Sequence, residues 1–255
     1  MSDVRQLRRL EEAGFNAWPA LQTVLVDGWV LRFAGGYTKR ANSINPTYPV
    51  SDRETEADLT ARVEACEAMY AGRGQPPIFR LTSFGVPSGL DELLAARGYR
   101  MIDRTLVLSR SLADLMASAE RPDVRATPLD EWLDRHVQFS GAALDKRDTH
   151  AAMLRQISGE PLFGLLHDAS GEPVACGLAV REGGLVGLFD IVTDRARRKQ
   201  GFGRALVSVL LIWARDRGAQ EAYLQVVATN EPAIHLYRAL GFVDAYHYWY
   251  RVPPV

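Results

Sequence analysis

The chain has 255 residues, of which 47% are hydrophobic and 24% charged, a composition typical of a folded protein of one or two domains. Its formal net charge of -1 gives no overall attraction to nucleic acid or to an anionic membrane, so neither is expected as a partner. Because only two cysteines occur, Cys66 and Cys176, the sequence excludes a four-cysteine zinc site and argues against a disulfide framework.

The N-terminal segment is charged and has helical periodicity, without the apolar core of a secretory signal. Leu7 and Leu10 share one face of a helix predicted over residues 3–15, with Ser2 as the N-cap and Gly14 near its end. The chain contains no apolar run near the about 20 residues that span a bilayer. We therefore expect a cytoplasmic protein.

Alternating strand-like and helical patterns fill the rest of the first half. Two strand-like runs come first, GWVLRFAGG and TKRANSINP. A helix over 52–71, a strand over 77–83, a helix over 88–97 and a strand over 99–109 are predicted to follow. A stretch of charged, small and proline residues then predicts a linker over 113–124. The linker divides the chain into domains 1–112 and 125–255.

The second half begins with a helical region and three strand-like runs separated by the turn signals DASG and EGG. These runs, at 161–167, 173–181 and 185–192, predict an antiparallel meander. A helix over 203–217 stops at Gly218 and is amphipathic enough to pack on a sheet. The remaining elements are expected in the order strand, helix, strand, at 222–228, 231–240 and 244–251.

The two halves share a faint internal repeat. LDELLAARGYRMIDRTLVLS near residue 100 parallels IHLYRALGFVDAYHYWYRV near residue 240, each a helix, a glycine and a strand. The repeat predicts two α/β domains of related topology, and a chance likeness of two such units stays open.

The segment GLFDIVTDRARRKQGFGRAL, residues 187–206, has the features of an anion-binding loop. Its glycines let backbone N–H groups approach phosphate oxygens, and the start of the following helix favours negative charge. Basic residues add positive potential, namely Arg195, Arg197, Arg198, Lys199 and Arg204. A Walker A loop and a dinucleotide fingerprint both fit poorly, because Arg204-Ala205-Leu206 follows the last glycine. A simple tight turn with a basic rim remains an alternative.

A second motif follows the next strand-like run. Together the two segments resemble the signature segments of the GNAT acyltransferases, over roughly residues 120–255: Arg198-x-x-Gly201-x-Gly203 and Asn230-x-x-Ala233-x-x-x-Tyr237-x-x-x-Gly241-Phe242. The resemblance implies an acetyl-coenzyme A-dependent N-acetyltransferase. With the repeat, it implies two tandem GNAT-like domains, each a mixed, mostly antiparallel sheet with flanking helices in three layers.

By this resemblance, the coenzyme A pyrophosphate would lie on the loop and helix start formed by Arg198, Lys199, Gln200, Gly201, Phe202, Gly203 and Arg204. Backbone groups around Ile191 and Val192 would pair with the pantetheine arm, and Asn230 would hydrogen-bond it. Asn230 is also placed to cap the following helix, and the two roles are compatible.

Tyr237 would lie beside the thioester sulfur by the same resemblance. A phenol with a pKa of about 10 stays protonated at neutral pH and can protonate a leaving thiolate. Tyr237 is therefore the expected general acid, with a buried core tyrosine as the alternative reading.

The general base is less clear. Members of this family often carry a glutamate on the strand before the pyrophosphate loop, but Gly187 stands near that place and Asp190 is the carboxylate available. Strand alternation sets Asp190 opposite Phe189 and Ile191, which also suits a structural role. Deprotonation through water needs no dedicated residue. The aromatic run Tyr246, His247, Tyr248 and Trp249 could supply the acceptor cleft, although core positions suit most of it.

The first half lacks the phosphate loop, because no glycine occurs between Tyr37 and Ala71, and Leu94 stands where the repeat has Tyr237. This half would then be a degenerate GNAT-like domain that serves as a scaffold or as one wall of the acceptor site. The residues considered for such a wall are Trp29, Arg40, Asn42 and Ser43, with a plain strand surface as the other reading.

The predicted reaction is direct attack of a primary amine on acetyl-coenzyme A in a ternary complex, without a metal. No acetyl-enzyme is expected, because Cys66 lies on a predicted helix and Cys176 on an apolar strand, where buried thiols are inert. The acceptor, a small molecule or a peptide, is left open, as is a homodimer. The alternatives are an acyl-coenzyme A sensor or pseudoenzyme and an interaction scaffold without cofactor.

Overall fold

The computed structural model describes residues 3–48, 55–115 and 122–254. The helices are α1 (Val4–Ala17), α2 (Glu56–Ala71), α3 (Leu90–Ala96), α4 (Leu129–Ser140), α5 (Arg147–Leu154), α6 (Phe202–Arg215) and α7 (Glu231–Ala239). The strands are β1 (Gln22–Val26), β2 (Trp29–Phe33), β3 (Ile44–Asn45), β4 (Phe79–Thr82), β5 (Arg100–Ser111), β6 (Asp123–Ala126), β7 (Glu160–His167), β8 (Pro173–Glu182), β9 (Leu185–Thr193), β10 (Glu221–Val227) and β11 (Val243–Val252).

The chain divides into two compact units. Unit 1 comprises Met1–Pro19 and Val107–Ala245, and unit 2 comprises Ala20–Leu106 and Tyr246–Val255. This division differs from the expected domains 1–112 and 125–255 at both ends of the chain. The difference has a physical cause in each case, because α1 packs on β8 and β9 of unit 1, and the end of β11 pairs with β4 of unit 2.

Unit 1 contains the strand order β10-β9-β8-β7-β6. The pairs β6–β7, β7–β8 and β8–β9 are antiparallel, which confirms the predicted meander, and β9 pairs with β10 in parallel. Strand β6 was not predicted, since its residues overlap the end of the expected linker; residues 116–121 of that linker lie outside the described part. The α6 helix packs on β7, β8 and β9.

Unit 2 contains the strand order β1-β2-β3-β4-β11. The β3–β4 pair is parallel, and the other neighbours are antiparallel. Its core lies between these strands and the helices α2 and α3, with Trp29, Ile44 and Tyr70 among its buried side chains. The expected α/β class with mixed, mostly antiparallel pairing is confirmed for both units, whereas the tandem arrangement of two GNAT-like domains stays a prediction.

Several local expectations were wrong. Asp3 caps α1, since its side chain accepts a hydrogen bond from the Arg5 amide at 3.1 Å, and Ser2 lies outside the described residues. The run TKRANSINP is not a continuous strand, because residues 39–41 form a short 3-10 helix and only Ile44–Asn45 pairs. Asn42 holds this loop by accepting hydrogen bonds from the amides of two earlier residues, at 2.7 and 2.9 Å.

The residues considered for an acceptor wall do not form a strand surface. Trp29, Asn42 and Ser43 are buried within unit 2, and Arg40 is partly buried. In the last strand, Tyr246 and Tyr248 are buried, which agrees with the core reading of that run. No helix among the described residues is long and apolar enough to cross a membrane.

Candidate functional site

An opening between two parallel strands is the first feature of the candidate site. The β9–β10 ladder runs from Leu185 to Leu188 on β9 and ends at the pair Leu188–Leu224. Both strands continue beyond this pair, β9 to Thr193 and β10 to Val227. Beyond it the ladder of β9 and β10 ends, at the carboxyl ends of both strands, the edge where α/β sheets usually bind ligands. Ile191 and Val192 lie on this stretch of β9.

A β-bulge lies at the same place on β9. On the β8 side, Phe189 pairs with Leu178 and Val192 pairs with Cys176, so two residues of β9 stand opposite one residue of β8. Asp190 has a positive φ of 49°. Bulges of this kind redirect side chains and often lie next to active sites. The bulge interrupts the strand alternation from which the sequence analysis placed Asp190, so that argument does not hold here.

The predicted phosphate loop connects β9 to α6. Residues 195–197 form a short 3-10 helix, and the chain then passes through Lys199 and Gly201 with positive φ values of 61° and 87°. Gly201 is the N-cap of α6 and has no side chain to cap the first helical amides, and the first turn holds no acidic residue. The first N–H groups of a helix have no carbonyl partner within the helix. This N-terminus is therefore suited to an anion.

The basic residues of this loop divide into two groups. Arg197 pairs with Asp168, and Arg195 donates a hydrogen bond to the Ser140 carbonyl at 3.4 Å, so both contact the rest of unit 1. By contrast, Arg198, Lys199 and Arg204 are exposed, as are Gln200 and Gly201. The positive potential available to a ligand therefore comes from the second group rather than from all of the predicted residues.

The second motif lies on α7. Asn230 is the N-cap of α7, and its side chain accepts a hydrogen bond from the Ala233 amide at 3.4 Å, as the helix-cap reading expected. Tyr237 is 8% exposed and packs edge-on against Phe242, with ring centroids 5.9 Å apart. Burial raises the pKa of Tyr237 to about 12, so its hydroxyl group carries its proton throughout the physiological range.

The Asp190 carboxylate lies between two buried histidines that the sequence analysis did not single out. His150 Nε2 lies 3.0 Å from Asp190 Oδ2, and His136 Nε2 lies 3.8 Å from Oδ1. The histidines belong to α4 and α5, and no spacing pattern links them to the bulge of β9. No sequence signal could have identified the three side chains as a group.

The position where this family often carries a glutamate has no room for one here. A Cβ atom on Gly187 would lie 2.6 Å from both the Tyr223 hydroxyl oxygen and a ring carbon of Phe189. Tyr223 and Phe189 would have to move to admit any side chain at this position. Within this stretch of β9, Asp190 is therefore the carboxylate that the fold accommodates.

The cysteines do not offer a nucleophile. Both are free and buried, and burial raises the pKa of Cys66 to about 12 and that of Cys176 well above its usual range. Buried thiols of this kind stay protonated at neutral pH. Among the described residues, no group of three His, Cys, Asp or Glu side chains is arranged to hold a metal ion.

Proteins similar in sequence to this chain are named acetyltransferases. The family model described as "Probable histone acetyltransferase Rv0428c C-terminal" matches residues 4–251. The chain is 28% identical over 260 residues to the "Uncharacterized N-acetyltransferase YobR" of Bacillus subtilis, covering 99% of both proteins. It is 29% identical over 200 residues to a mycothiol acetyltransferase of Catenulispora acidiphila, covering 68% of this chain and 61% of that protein.

The fold also has close solved counterparts. A GCN5-related N-acetyltransferase from Kribbella flavida superposes with a TM-score of 0.75 at 17% identity, covering 97% of this chain and 95% of that one. At this identity the likeness concerns the fold alone. The family match covers nearly the whole chain, and so the chain belongs to the family of the Rv0428c C-terminal acetyltransferase region, within the GNAT N-acetyltransferases.

Proposed function

We propose that the protein transfers the acetyl group of acetyl-coenzyme A to a primary amine, by direct attack of the amine in a ternary complex. Acetyltransferase homologues that match nearly the full chain support the general reaction. The proposal adds the acetyl donor, the roles of individual residues and the class of acceptor to that general reaction.

The observation that carries the proposal is the continuity of the β9–β10 opening with the start of α6. The opening begins after Leu188, and the same strand leads through the loop to the amides of Phe202 and Gly203. A ligand with an extended amide-containing arm and a pyrophosphate has the two features that these elements suit. Backbone groups of Ile191 and Val192 would bind the arm, and the loop from Arg198 to Arg204 would bind the pyrophosphate.

In this proposal Asp190 and Tyr237 divide the proton transfers between them. Asp190 accepts a proton from the acceptor ammonium group, which leaves the nitrogen lone pair free to attack the acetyl carbonyl. Attack forms the C–N bond, and the C–S bond then breaks as Tyr237 donates its hydroxyl proton to the leaving sulfur. The second proton of the attacking nitrogen passes to water, and water returns a proton to Tyr237. Because burial raises the pKa of Tyr237 to about 12, the phenol is protonated at neutral pH and is available as a proton donor. Asn230 would hydrogen-bond the pantetheine arm while it caps α7.

Relatives differ in the acceptors for which they are named. The family description names histones, which are proteins, and one relative is named for mycothiol, a small molecule. We propose a primary amine on a small molecule or a peptide as the acceptor. A peptide from a histone tail and spermidine represent the two classes in the assays below.

The cofactor site is tested by calorimetric titration of acetyl-coenzyme A into the wild-type protein and into Gly203→Glu. A Cβ at Gly203 would make only ordinary contacts, the nearest 3.5 Å from Thr193 Oγ1, so the fold should tolerate the change. The carboxylate would lie among the first amides of α6 and repel the pyrophosphate. We expect the affinity to fall by at least about 100-fold, or about 2.7 kcal/mol.

Gly184→Glu is the matched control, because it adds the same side chain to unit 1 in the turn between β8 and β9. It should bind acetyl-coenzyme A as the wild type does. Absence of binding by the wild type, or equal binding by all three proteins, would contradict the proposed site. Binding without release of thiol in the presence of either amine would instead favour an acyl-coenzyme A sensor.

A further inference from the structure

The bulge of β9 places the Asp190 carboxylate between two imidazoles of unit 1. The His150 contact, 3.0 Å from Nε2 to Oδ2, is the shorter of the two and sets the imidazole against the carboxylate. The His136 contact, 3.8 Å from Nε2 to Oδ1, is longer but still close enough for electrostatic interaction. One oxygen of the carboxylate thus lies against His150, and the other faces His136.

The two histidines are buried, whereas the carboxylate is reachable. His150 is 2% and His136 is 7% exposed, while the Asp190 side chain is 20% exposed. Aromatic rings fix both imidazoles: Trp132 stacks on His136 with centroids 5.3 Å apart, and Trp18 lies 5.4 Å from His150. The imidazoles therefore have little freedom to turn, and the carboxylate is the member of the group that can meet a substrate.

The proton positions follow from the surroundings of His136. Its Nδ1 atom is buried and has no hydrogen-bond partner in the described part of the chain. A proton on Nδ1 would leave a buried donor unsatisfied, so the neutral ring carries its proton on Nε2, toward Asp190. Burial lowers the pKa of His136, an effect that the Asp190 carboxylate opposes, so the neutral form predominates at neutral pH.

Other ionisable side chains occur on the elements packed against β9. Besides the two histidines, the buried ionisable side chains on these elements are Glu11 on α1, Cys176 on β8 and Tyr223 on β10. Burial and the Asp190 charge keep the Cys176 thiol protonated by raising its pKa. The Cys176 thiol is therefore not expected to change charge between pH 5 and 8, the range in which an imidazole titrates. A Glu11→Gln variant tests whether Glu11 contributes to the pH dependence of kcat.

We propose that His136 and His150 are positioning residues for Asp190, holding its carboxylate at the β9 bulge and setting the pH range in which it accepts the acceptor's proton. The inference rests on the proposed acetyl transfer and adds two residues to it. With neutral imidazoles, Oδ2 stays against His150, and Oδ1 takes the proton from the substrate ammonium. When an imidazole is protonated at lower pH, the imidazolium pairs with the carboxylate and weakens it as a base.

The test is the pH dependence of kcat at saturating acetyl-coenzyme A and saturating histone-tail peptide or spermidine, which reports the groups that titrate in the ternary complex. The wild type should lose activity on the acid side, as an imidazole beside Asp190 is protonated. His150→Gln keeps a polar side chain beside Asp190 but cannot be protonated. We expect its acid limb to move at least one pH unit lower. His136→Gln should move the limb less, since His136 lies farther away.

Two further variants complete the experiment. Asp190→Asn should lower kcat by about 100-fold, the usual range for loss of a general base, without changing acetyl-coenzyme A affinity. His167→Gln changes a histidine of unit 1 outside the group, on β7, and Glu11→Gln removes the buried acid of α1. Both should keep the wild-type acid limb.

The outcomes separate the two proposals. If the wild type transfers acetyl but the acid limb stays in place in both histidine variants, the positioning roles are wrong and the acetyltransferase proposal stands. If the wild type binds no acetyl-coenzyme A and acetylates neither amine, the proposed function is wrong, and the positioning roles are rejected with it.

A second measurement covers the case in which a buried histidine variant does not fold. Proton and nitrogen NMR of histidine-labelled wild type and Asp190→Asn follows each imidazole through its own titration. Removing the carboxylate charge should lower the pKa of His136, because the adjacent negative charge favours its imidazolium. An unchanged titration of His136 in Asp190→Asn would overturn the proposal.

Discussion

Both units contain the same chain order around one pair of parallel strands. In unit 1 the order is β9, α6, β10 and α7, and in unit 2 it is β3, α2, β4 and α3. Each first strand pairs in parallel with the strand that follows its helix. The two regions therefore share a topology, and the differences between them show which local features turn that topology into a candidate site.

The two helix starts carry opposite chemistry. The first amides of α2 are satisfied by a capping box, in which Thr55 accepts from the Asp58 amide at 3.2 Å and Asp58 accepts from the Thr55 amide at 3.1 Å. Glu56 adds a second carboxylate to that first turn. The first turn of α6 holds Arg204 and no acid. An anion is therefore repelled by α2 and attracted by α6.

The parallel strands differ as well. The β3 strand is two residues long and pairs with β4 at one position, Ile44–Phe79, whereas β9 continues five residues beyond its last pair with β10, from Phe189 to Thr193. A short strand offers no length along which an extended arm could bind. Two local changes, strand length and helix capping, thus separate the region of the proposed coenzyme A site from a region with the same chain order.

The largest effect that tests this comparison should come from Tyr237, the proposed general acid of unit 1. Tyr237→Phe removes the hydroxyl proton donor while keeping the ring that packs on Phe242. We expect kcat to fall by about 100-fold, the lower end for loss of acid catalysis, with unchanged acetyl-coenzyme A affinity. Steady-state kinetics together with calorimetry would measure both quantities.

The matched control is the same substitution in unit 2. Tyr70→Phe removes a buried hydroxyl that donates to the Arg32 carbonyl at 2.9 Å, so it should lower stability and leave kcat near the wild-type value.

Because burial raises the pKa of Tyr237 to about 12, the phenol keeps its proton below that pH, and kcat should show no alkaline limb from this residue below about pH 10. Equal turnover by Tyr237→Phe and wild type would contradict the assigned role.

A smaller effect should follow from giving α6 the charge of α2. Arg204→Glu replaces a cation in the first turn with a carboxylate, as Glu56 stands in α2. A like charge near the pyrophosphate costs between about 1 and 4 kcal/mol at close range, so we expect acetyl-coenzyme A affinity to fall about 30-fold. The reciprocal change, Glu56→Arg, should not alter the affinity, because unit 2 lacks the strand opening. A loss in both variants would point to a nonspecific charge effect.

The sequence predicted the features that depend on neighbouring residues. The glycines of the phosphate loop, the meander before it and the cap at Asn230 each follow from short stretches of sequence, and the structure has the loop, meander and cap at those positions. These elements are determined by backbone freedom, turn chemistry and side chains within a few residues. The family assignment, which rested on the same stretches, is confirmed.

Features that depend on distant residues were not predictable in the same way. The bulge at Asp190 is a property of the β8–β9 register, and periodicity alone assigns no register shift. His136 and His150 reach Asp190 only because α4 and α5 fold back over β9, so no local pattern brings them together. The same holds for the chain ends: the N-terminal helix belongs to unit 1 and the end of β11 to unit 2. The pairing of β11 with β4 depends on tertiary packing, which local sequence does not predict.

The smallest expected effect compares the two helix caps directly. Thr55→Ala removes the reciprocal capping box of α2, which should cost about 1 kcal/mol and lower Tm by about 2–4 °C in calorimetry. Asn230→Ala removes a single, longer cap bond of 3.4 Å on α7 and should lower Tm by less. If Asn230 also binds the pantetheine arm, its loss should reduce acetyl-coenzyme A affinity, while Thr55→Ala leaves the affinity unchanged. An unaltered affinity in Asn230→Ala would restrict this residue to capping.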